Sequence, residues 1–211
     1  MDRRELLKMV AALTGGAVIG GNVFLTGCKS DDKTATHIGF DESDVAFLDE
    51  VAETILPTTK TPGAKAAKVG LFMTVMVNDT YEEKNQKIFK EGIGKLDEAS
   101  KKKFDSPFMK IGAQQRHELL VQVDNETKEY QKKKADFDKI QNDKEISEKS
   151  HGNTEFKKEE YPQHYFVMMR QLTLLGYFTS EIGATQALRF VAVPGKYEGC
   201  IPYKKGDRAW A

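Results

Sequence analysis

The sequence is poor in cysteine, in net charge and in hydrophobic residues, and each shortage excludes a class of protein. Two cysteines among 211 residues cannot build a disulfide scaffold, nor an all-cysteine zinc or iron–sulfur site. The 32 basic and 32 acidic side chains cancel, so the chain lacks the positive balance of a typical nucleic-acid-binding protein. Only 39% of residues are hydrophobic and 30% are charged, which predicts a modest core with part of the chain outside it.

Motifs for catalysis and for cofactor binding are also missing from the sequence. Gly92-Ile93-Gly94 lacks the third glycine of a dinucleotide-binding turn, and Ser180 lacks the flanking glycines of a hydrolase nucleophile. No Cys-x-x-Cys-His haem attachment motif occurs, and the histidines do not have the spacing of a zinc-binding helix. We therefore expect no catalytic residue, cofactor or metal in this chain, and we expect His164 to be a structural histidine.

The first 27 residues differ from the rest of the chain and predict a signal peptide. Arg3 and Arg4 stand in a short charged segment, and residues 9–27 carry no charge. The paired arginines resemble the twin-arginine motif, whose pathway exports proteins that have already folded. An uncleaved transmembrane helix is the alternative, because an uncharged segment of this length could nearly span a hydrocarbon core of roughly 30 Å.

The segment Leu25-Thr26-Gly27-Cys28 resembles the lipobox of bacterial lipoproteins and predicts lipid modification of Cys28. Acyl chains on this residue would anchor the protein to a membrane. Residues 28–42 would then form a polar tether, and residues 43–211 the folded domain. The expected location is the bacterial cell envelope, as a periplasmic or outer-membrane lipoprotein.

Apolar residues recur at helical spacing and predict an all-α fold, a small irregular helical bundle. Ser43 or Asp44 can cap the first helix, which Pro57 ends because proline disfavours a helical residue before it. Pro62-Gly63 suits a type II turn. The predicted helices cover residues 43–55, 64–78, 81–96, 114–127, 162–175 and 184–190.

Residues 128–160 form a segment of different composition within this helical domain. Eighteen of the 33 residues are charged, nine of each sign, and few are large and apolar. This composition predicts either a solvated helix extension or a flexible loop. A mobile arm that contacts a partner is the functional alternative.

The C-terminal segment predicts an ordered, irregular strap rich in aromatic residues, glycine and proline. Residues 191–211 include Tyr197, Tyr203 and Trp210, and aromatic side chains at that density rarely remain in water. Cys200 has no partner within the chain once Cys28 carries lipid. We expect its thiol to be buried, or else to pair with another chain.

Three segments carry a resemblance to a known family. They are Glu-Thr-Ile-Leu-Pro-Thr-Thr-Lys-Thr-Pro-Gly-Ala (53–64), Leu-Leu-Gly-Tyr-Phe-Thr-Ser-Glu-Ile-Gly (174–183) and Val-Pro-Gly-Lys-Tyr-Glu-Gly-Cys-Ile-Pro (193–202). Together with the twin-arginine leader, they resemble the gluconate 2-dehydrogenase subunit 3 family. The likeness extends from about residue 44 over nearly all of the chain except the charged segment.

The resemblance implies an accessory role in a membrane-associated dehydrogenase. In such complexes a large flavoprotein subunit, which carries FAD, oxidises a sugar or sugar acid, and electrons pass to a cytochrome c subunit with haem c or to another carrier. The small subunit holds no cofactor, and its leader serves the folded flavoprotein as well. The lipobox adds the expectation that this small subunit tethers its partner to a membrane.

We expect the partner-binding surface on the Gly-rich segment 176–183 and on the strap. Aromatic side chains there could anchor a partner, although the same residues could instead close the helical core around a tight turn. A stand-alone envelope lipoprotein that binds a ligand or scaffolds another assembly is the alternative function. The predicted partner-binding residues are Gly176, Tyr177, Phe178, Thr179, Ser180, Glu181, Pro194, Tyr197 and Cys200.

Overall fold

Five α-helices form the fold in the computed structural model, which describes residues 38–193, 195–197 and 199–210. These ranges contain no β-strand, only an isolated bridge between Arg189 and Trp210. The all-α prediction is therefore confirmed. The helices are α1 (Glu42–Ile55), α2 (Val69–Thr80), α3 (Glu83–Phe104), α4 (Ala113–Ser150) and α5 (Tyr165–Thr179), with a 3-10 turn at Phe108–Lys110 and a π-helical turn at Gly183–Ala187.

Helix α1 begins at a reciprocal cap between two aspartates. The Asp41 side chain accepts a hydrogen bond from the backbone N–H of Asp44, and the Asp44 side chain accepts one from the backbone N–H of Asp41, at 2.9 and 3.0 Å. Such a capping box satisfies amides that the first helical turn leaves without partners. The N-cap is Asp41 and not the predicted Ser43 or Asp44, although Asp44 takes part in the capping box. The helix ends at Ile55, ahead of Pro57, as predicted.

Apolar residues from all five helices meet in one core. Helices α1 and α5 each contact all four of the other α-helices. Most of the apolar positions at helical spacing are buried or half-buried, since one face of each helix turns inward, whereas Leu175 is exposed. Among the core residues are Phe47, Leu48, Val51, Val69, Met73, Val77, Phe89, Leu96, Leu119, Leu120, Val123, Phe166, Met169 and Leu172.

Two helix boundaries differ from the prediction because of left-handed residues. Residues 64–68 form a turn that ends with Lys68 at φ 55°, so α2 begins at Val69 and not at residue 64. Helix α3 continues past Leu96 through residues that favour helix and ends only before Asp105, at φ 53°. A non-glycine residue in this conformation interrupts a right-handed helix.

The charged segment is largely a helix extension. Helix α4 runs without interruption for 38 residues to Ser150, and a flexible loop over residues 128–150 is therefore a wrong prediction. The chain then returns along the helix, where the Tyr161 ring lies 5.2 Å from that of Tyr130 and 5.3 Å from that of Phe137, centroid to centroid. Lys134 Nζ donates to the Tyr161 carbonyl oxygen at 3.3 Å. These contacts make an ordered arm from the charged residues.

Helices α3 and α5 approach each other closely at Gly92. A Cβ atom at this position would lie 2.5 Å from the Cβ of Tyr165, which cannot move without its backbone. Gly94, two residues along the same helix, is exposed, and a Cβ there would have no neighbour within 4 Å. Gly92 therefore permits a close contact between helices, whereas Gly94 takes part in no such contact.

We expect Gly92→Ala to lower the free energy of unfolding by about 1–3 kcal/mol, because overpacking forces the two helices apart. Gly94→Ala is the matched control and should raise the free energy of unfolding by up to about 1 kcal/mol, since alanine favours helix over glycine. Urea unfolding followed by circular dichroism measures both values. Equal effects of the two substitutions would contradict the close approach at Gly92.

His164 caps the N-terminus of α5. Its Nδ1 accepts a hydrogen bond from the backbone N–H of Phe166 at 3.2 Å and lies 3.2 Å from Thr127 Oγ1. The imidazole stacks on Tyr165 and meets Tyr130 edge-on, with centroid distances of 4.6 and 5.0 Å. The expected structural role of His164 agrees with this position, where it joins α5 to α4.

Burial lowers the pKa of the His164 imidazole below its usual value; Glu126 opposes the shift and Lys95 adds to it. Protonation of His164 is therefore less favourable in the folded chain than in the unfolded chain. The free energy of unfolding should fall as the pH drops below about 6.5. His164→Asn keeps a capping oxygen that does not titrate, so it should flatten the dependence of the unfolding free energy on pH between about 7 and 5.

The exposed His117 provides the control, because His117→Asn should leave the slope of the wild-type chain unchanged. Urea unfolding at a series of pH values gives the slopes. A His164→Asn chain with the slope of the wild-type chain would show that this imidazole does not couple folding to pH.

Candidate partner-binding surface

Two segments that are far apart in sequence meet at the C-terminal end of α5. The Tyr177 hydroxyl donates a hydrogen bond to the carbonyl oxygen of Pro62 at 2.7 Å. Tyr177 lies in the 174–183 segment and Pro62 in the 53–64 segment, so two of the three segments that carry the family resemblance form one structural unit. The loop between α1 and α2 is thereby held against the end of α5.

A single carboxylate organises the loop that follows α1. Glu53 Oε1 accepts hydrogen bonds from the backbone N–H and the hydroxyl of Thr58, at 2.8 and 2.7 Å, and Oε2 accepts one from the backbone N–H of Lys65 at 3.0 Å. Burial alone would raise the pKa of the Glu53 carboxyl, but these hydrogen bonds hold it below its usual value. The carboxylate therefore closes the loop in its charged form.

Gly63 of this loop leaves space for the Glu53 carboxylate, and its backbone is not in the left-handed conformation. A Cβ at Gly63 would lie 2.3 Å from Glu53 Oε2, whereas the φ of Gly63 is not positive. The predicted type II turn at Pro62-Gly63 is thus wrong, since that turn needs a positive φ at its glycine. Sequence reasoning missed the role of Glu53, whose only signal was an acidic residue close to a threonine-rich loop.

Helix α5 continues through the glycine that was expected to open a turn. Gly176 lies inside the helix, and a Cβ there would approach the Phe72 ring of α2 to 2.5 Å. The helix ends at Thr179, and Ser180 Oγ accepts a hydrogen bond from the Gly183 N–H at 3.0 Å. The turn therefore begins four residues later than predicted, because Gly176 provides a close helix contact instead of a break.

Neighbouring aromatic residues at the end of α5 have different environments. The Tyr177 side chain is 4% exposed and belongs to the core of this chain, whereas Phe178 is 38% exposed and packs edge-on against the Tyr177 ring at 5.1 Å. Thr179 and Glu181 are exposed, and Ser180 is half-buried. Of this segment, Phe178 is the aromatic side chain that the fold leaves available to another molecule.

The outer faces of α2 and α5 carry further exposed apolar side chains. These two helices pack against each other, and the face of each that points away from the core is apolar instead of charged. Exposed apolar patches of this kind mark surfaces that bind other molecules. The residues are Leu71 and Val75 of α2 and Leu174, Leu175 and Phe178 of α5. Sequence analysis did not single out the two α2 residues, whose spacing of four was the available signal.

The segment after α5 forms a loop with a fixed base. The π-helical turn ends at Ala187, so the predicted helix over residues 184–190 is wrong in type and too long. Arg189 then pairs with the end of the chain: its N–H donates to the Ala209 carbonyl oxygen at 2.8 Å, and its guanidinium lies 4.8 Å from the centroid of the Trp210 ring. Arg208 Nη1 donates to the Gln186 carbonyl oxygen at 2.7 Å.

We call residues 188–210 the C-terminal loop. Its described side chains are mostly exposed, and none of them belongs to the buried core. Apolar side chains and two glycines of the loop line a concavity of about 770 Å³. The lining residues are Val191, Val193, Gly195, Lys196, Tyr197, Gly199, Ile201 and Trp210.

Two of the three predicted partner-binding residues of this region, Tyr197 and Cys200, are described, and both are exposed. Tyr197 is 95% exposed. Cys200 is exposed as well, so the expectation of a buried thiol is wrong, because the C-terminal loop lies outside the core. Pro194 falls outside the described residues, as do Arg3, Arg4 and Cys28, and the predictions on these four residues remain predictions.

The described residues contain neither a candidate metal site nor a candidate membrane span. No group of three or more histidine, cysteine, aspartate or glutamate side chains within residues 38–193, 195–197 and 199–210 is placed to hold a metal ion. Over the same ranges, no helix combines the length and the hydropathy needed to cross a bilayer. What the described surface presents is a set of exposed apolar side chains beside two ordered loops.

We expect Glu53→Gln to lower the free energy of unfolding by about 1–3 kcal/mol, because the new amide group must face at least one of the N–H or O–H donors that Glu53 now accepts. The exposed Glu98 supplies the control, and Glu98→Gln should change the free energy of unfolding by less than about 0.5 kcal/mol. Denaturant titration of the two variants measures the difference. Similar values for both would contradict the organising role of Glu53.

Comparison with known proteins gives one finding. The model of the family described as gluconate 2-dehydrogenase subunit 3 matches residues 42–195, which include α1 to α5, the loop after α1 and the beginning of the C-terminal loop. Comparison with curated proteins and with solved structures gave no significant match.

Proposed function

This chain belongs to the gluconate 2-dehydrogenase subunit 3 family, and we propose that it is the non-catalytic small subunit that binds, escorts and tethers a flavin-dependent dehydrogenase. Family membership implies a catalytic partner, because the family is defined as a subunit of a dehydrogenase complex. The finer roles are part of the proposal: assembly, export and membrane attachment of a large flavoprotein that oxidises a sugar or sugar acid.

The observation that carries this proposal is the exposed apolar surface beside the family motifs. A chain with 30% charged residues can cover its surface with polar groups, yet it leaves Phe178, Leu175 and Leu71 in contact with solvent. Interfaces concentrate aromatic and aliphatic side chains in this way, with a small number of them supplying most of the affinity. The surface is what a small subunit needs to bind a larger one.

The proposed export and anchoring roles rest on the leader. Flavin is inserted into folded protein, so a pathway that carries folded cargo allows one leader to serve two chains. Arg3 and Arg4 would direct the complex to this pathway, and acylated Cys28 would hold it at a membrane afterwards. FAD belongs to the proposed flavoprotein partner, and haem c to a possible third, cytochrome c subunit.

A direct test purifies the complex with a tag at the C-terminus of this chain. After extraction of membranes with a mild detergent, we expect one larger chain to accompany the tagged protein in constant ratio and to show the visible absorbance spectrum of a flavin. The purified complex should reduce an artificial electron acceptor when a sugar or sugar acid is added. A pure tagged chain without a flavoprotein would contradict the proposal.

The export role is tested by replacing both arginines of the leader. Arg3→Lys with Arg4→Lys should leave this chain and the flavoprotein in the cytoplasm, because we propose that the flavoprotein is exported as a passenger of this chain. Lys8→Arg is the matched control, since it alters the same charged segment and leaves the arginine pair intact. Fractionation followed by flavin absorbance locates both chains, and export of the flavoprotein by the double variant would contradict a shared leader.

One observation favours the alternative of a stand-alone lipoprotein that binds a ligand. The concavity in the C-terminal loop, at about 770 Å³, falls within the size range of small-molecule sites. A monomeric mature chain that bound a small molecule with no second chain present would support this alternative. The family match favours the subunit, because it includes the bundle and the start of the loop.

A further inference from the structure

The C-terminal loop differs from the rest of the chain in its charge. It carries five basic side chains against two acidic ones, which gives a net charge of +3, and because the whole chain is neutral the other 188 residues carry −3. Two of the basic residues, Lys204 and Lys205, lie in a turn closed by reciprocal hydrogen bonds between Lys204 and Asp207, both of 3.0 Å. The loop thus combines an apolar concavity, which Lys196 also lines, with a basic turn at Lys204 and Lys205.

The two ends of the loop are joined before any partner binds. The pairing of Arg189 with Ala209 and the contact between Arg189 and the Trp210 ring connect them. Arg208 also donates to the Thr185 carbonyl oxygen at 3.2 Å, which attaches the base to the π-helical turn. A loop whose ends are already joined loses less conformational freedom on binding than an open segment of the same length.

Several large apolar side chains of the C-terminal loop are exposed to solvent. Val193 is 82% exposed, Tyr203 75% and Trp210 52%, and no described residue beyond Ala187 takes part in the buried core. Burying such side chains stabilises a complex in proportion to the area removed from water. Val193 and Trp210 line the concavity together with Val191 and Ile201, and a shared hollow suits an apolar projection of a protein better than insertion into lipid.

We infer that the C-terminal loop receives an apolar projection of the catalytic flavoprotein subunit that is flanked by acidic side chains. This inference rests on the proposed function and names the element and the complementary chemistry through which the two chains bind. The apolar concavity supplies the contact area, and Lys204 and Lys205 pair with the acidic flank. The fixed base presents both features together.

The test uses the flavoprotein that co-purifies with the wild-type chain, separated and then recombined with purified variants of the full mature chain. Lys204→Glu with Lys205→Glu should weaken binding about tenfold at roughly 50 mM salt, and this loss should shrink at roughly 300 mM salt because screening weakens exposed charge pairs. Lys132→Glu with Lys133→Glu makes the same change of charge on the exposed face of α4 and should leave the affinity within about twofold.

The apolar contact is tested by Tyr197→Ser and Val193→Ser. Both side chains are almost fully exposed, so neither substitution disturbs the fold, and circular dichroism should confirm this. Each should weaken binding about tenfold or more at both salt concentrations, since an apolar contact is not screened by salt. A difference in salt dependence between the two kinds of variant would support a basic turn and an apolar concavity that both contribute to binding.

Other outcomes would overturn the inference. If all loop variants bound the flavoprotein with the affinity of the wild-type chain, the loop would not be the docking element, while the proposed function would stand. If the substitutions instead abolished binding to vesicles with anionic lipids, or self-association measured by sedimentation, the occupant would be a membrane or a second copy. If no flavoprotein accompanied the wild-type chain, the proposed function would fail first.

Discussion

The close packing of α5 against its neighbours is the constraint on which the rest of the structure depends. Gly92 of α3 admits the side chain of Tyr165 of α5, and Gly176 of α5 admits the Phe72 ring of α2, so at each contact one side chain packs directly against the backbone of the opposite helix. Protein interiors are packed as densely as organic crystals, and helices separated by even one methyl group would leave the core underfilled. The close contacts of α5 with α2 and α3 depend on these two glycines.

The same packing fixes the surface at the end of α5. Because Tyr177 is buried and donates to the Pro62 carbonyl oxygen, the loop organised by Glu53 and the turn that begins at Ser180 are held at one end of the bundle. Phe178, the next residue, faces solvent. One helical step of about 100° therefore separates a residue that maintains the fold from one that is available to a partner. The sequence motif that contains both residues does not show which of them is buried and which is exposed.

Two extensions leave the bundle in different ways. The arm made by the end of α4 and the returning chain is charged, and its side chains pair with each other, as Lys149 and Lys158 do with Glu145. The C-terminal loop is apolar and basic, and it fixes its base through backbone pairing at Arg189. Exposed ion pairs contribute little binding energy, whereas exposed aromatic groups can contribute much. For this reason we propose the loop, and not the arm, as the element that binds a catalytic partner.

The sequence by itself determined the helical class, the inward faces of the helices and the family, because these depend on local spacing and on short motifs such as residues 53–64. Only the tertiary structure decided whether the charged segment is a helix or a loop. The same holds for the roles of Glu53 and Gly176 and for the exposure of Cys200. Each of these depends on what lies opposite in space: a loop amide for Glu53, a ring of α2 for Gly176, and no core at all for Cys200. A pattern along one chain records which residues are apolar, but only the packing of the helices decides which of them remain in contact with water.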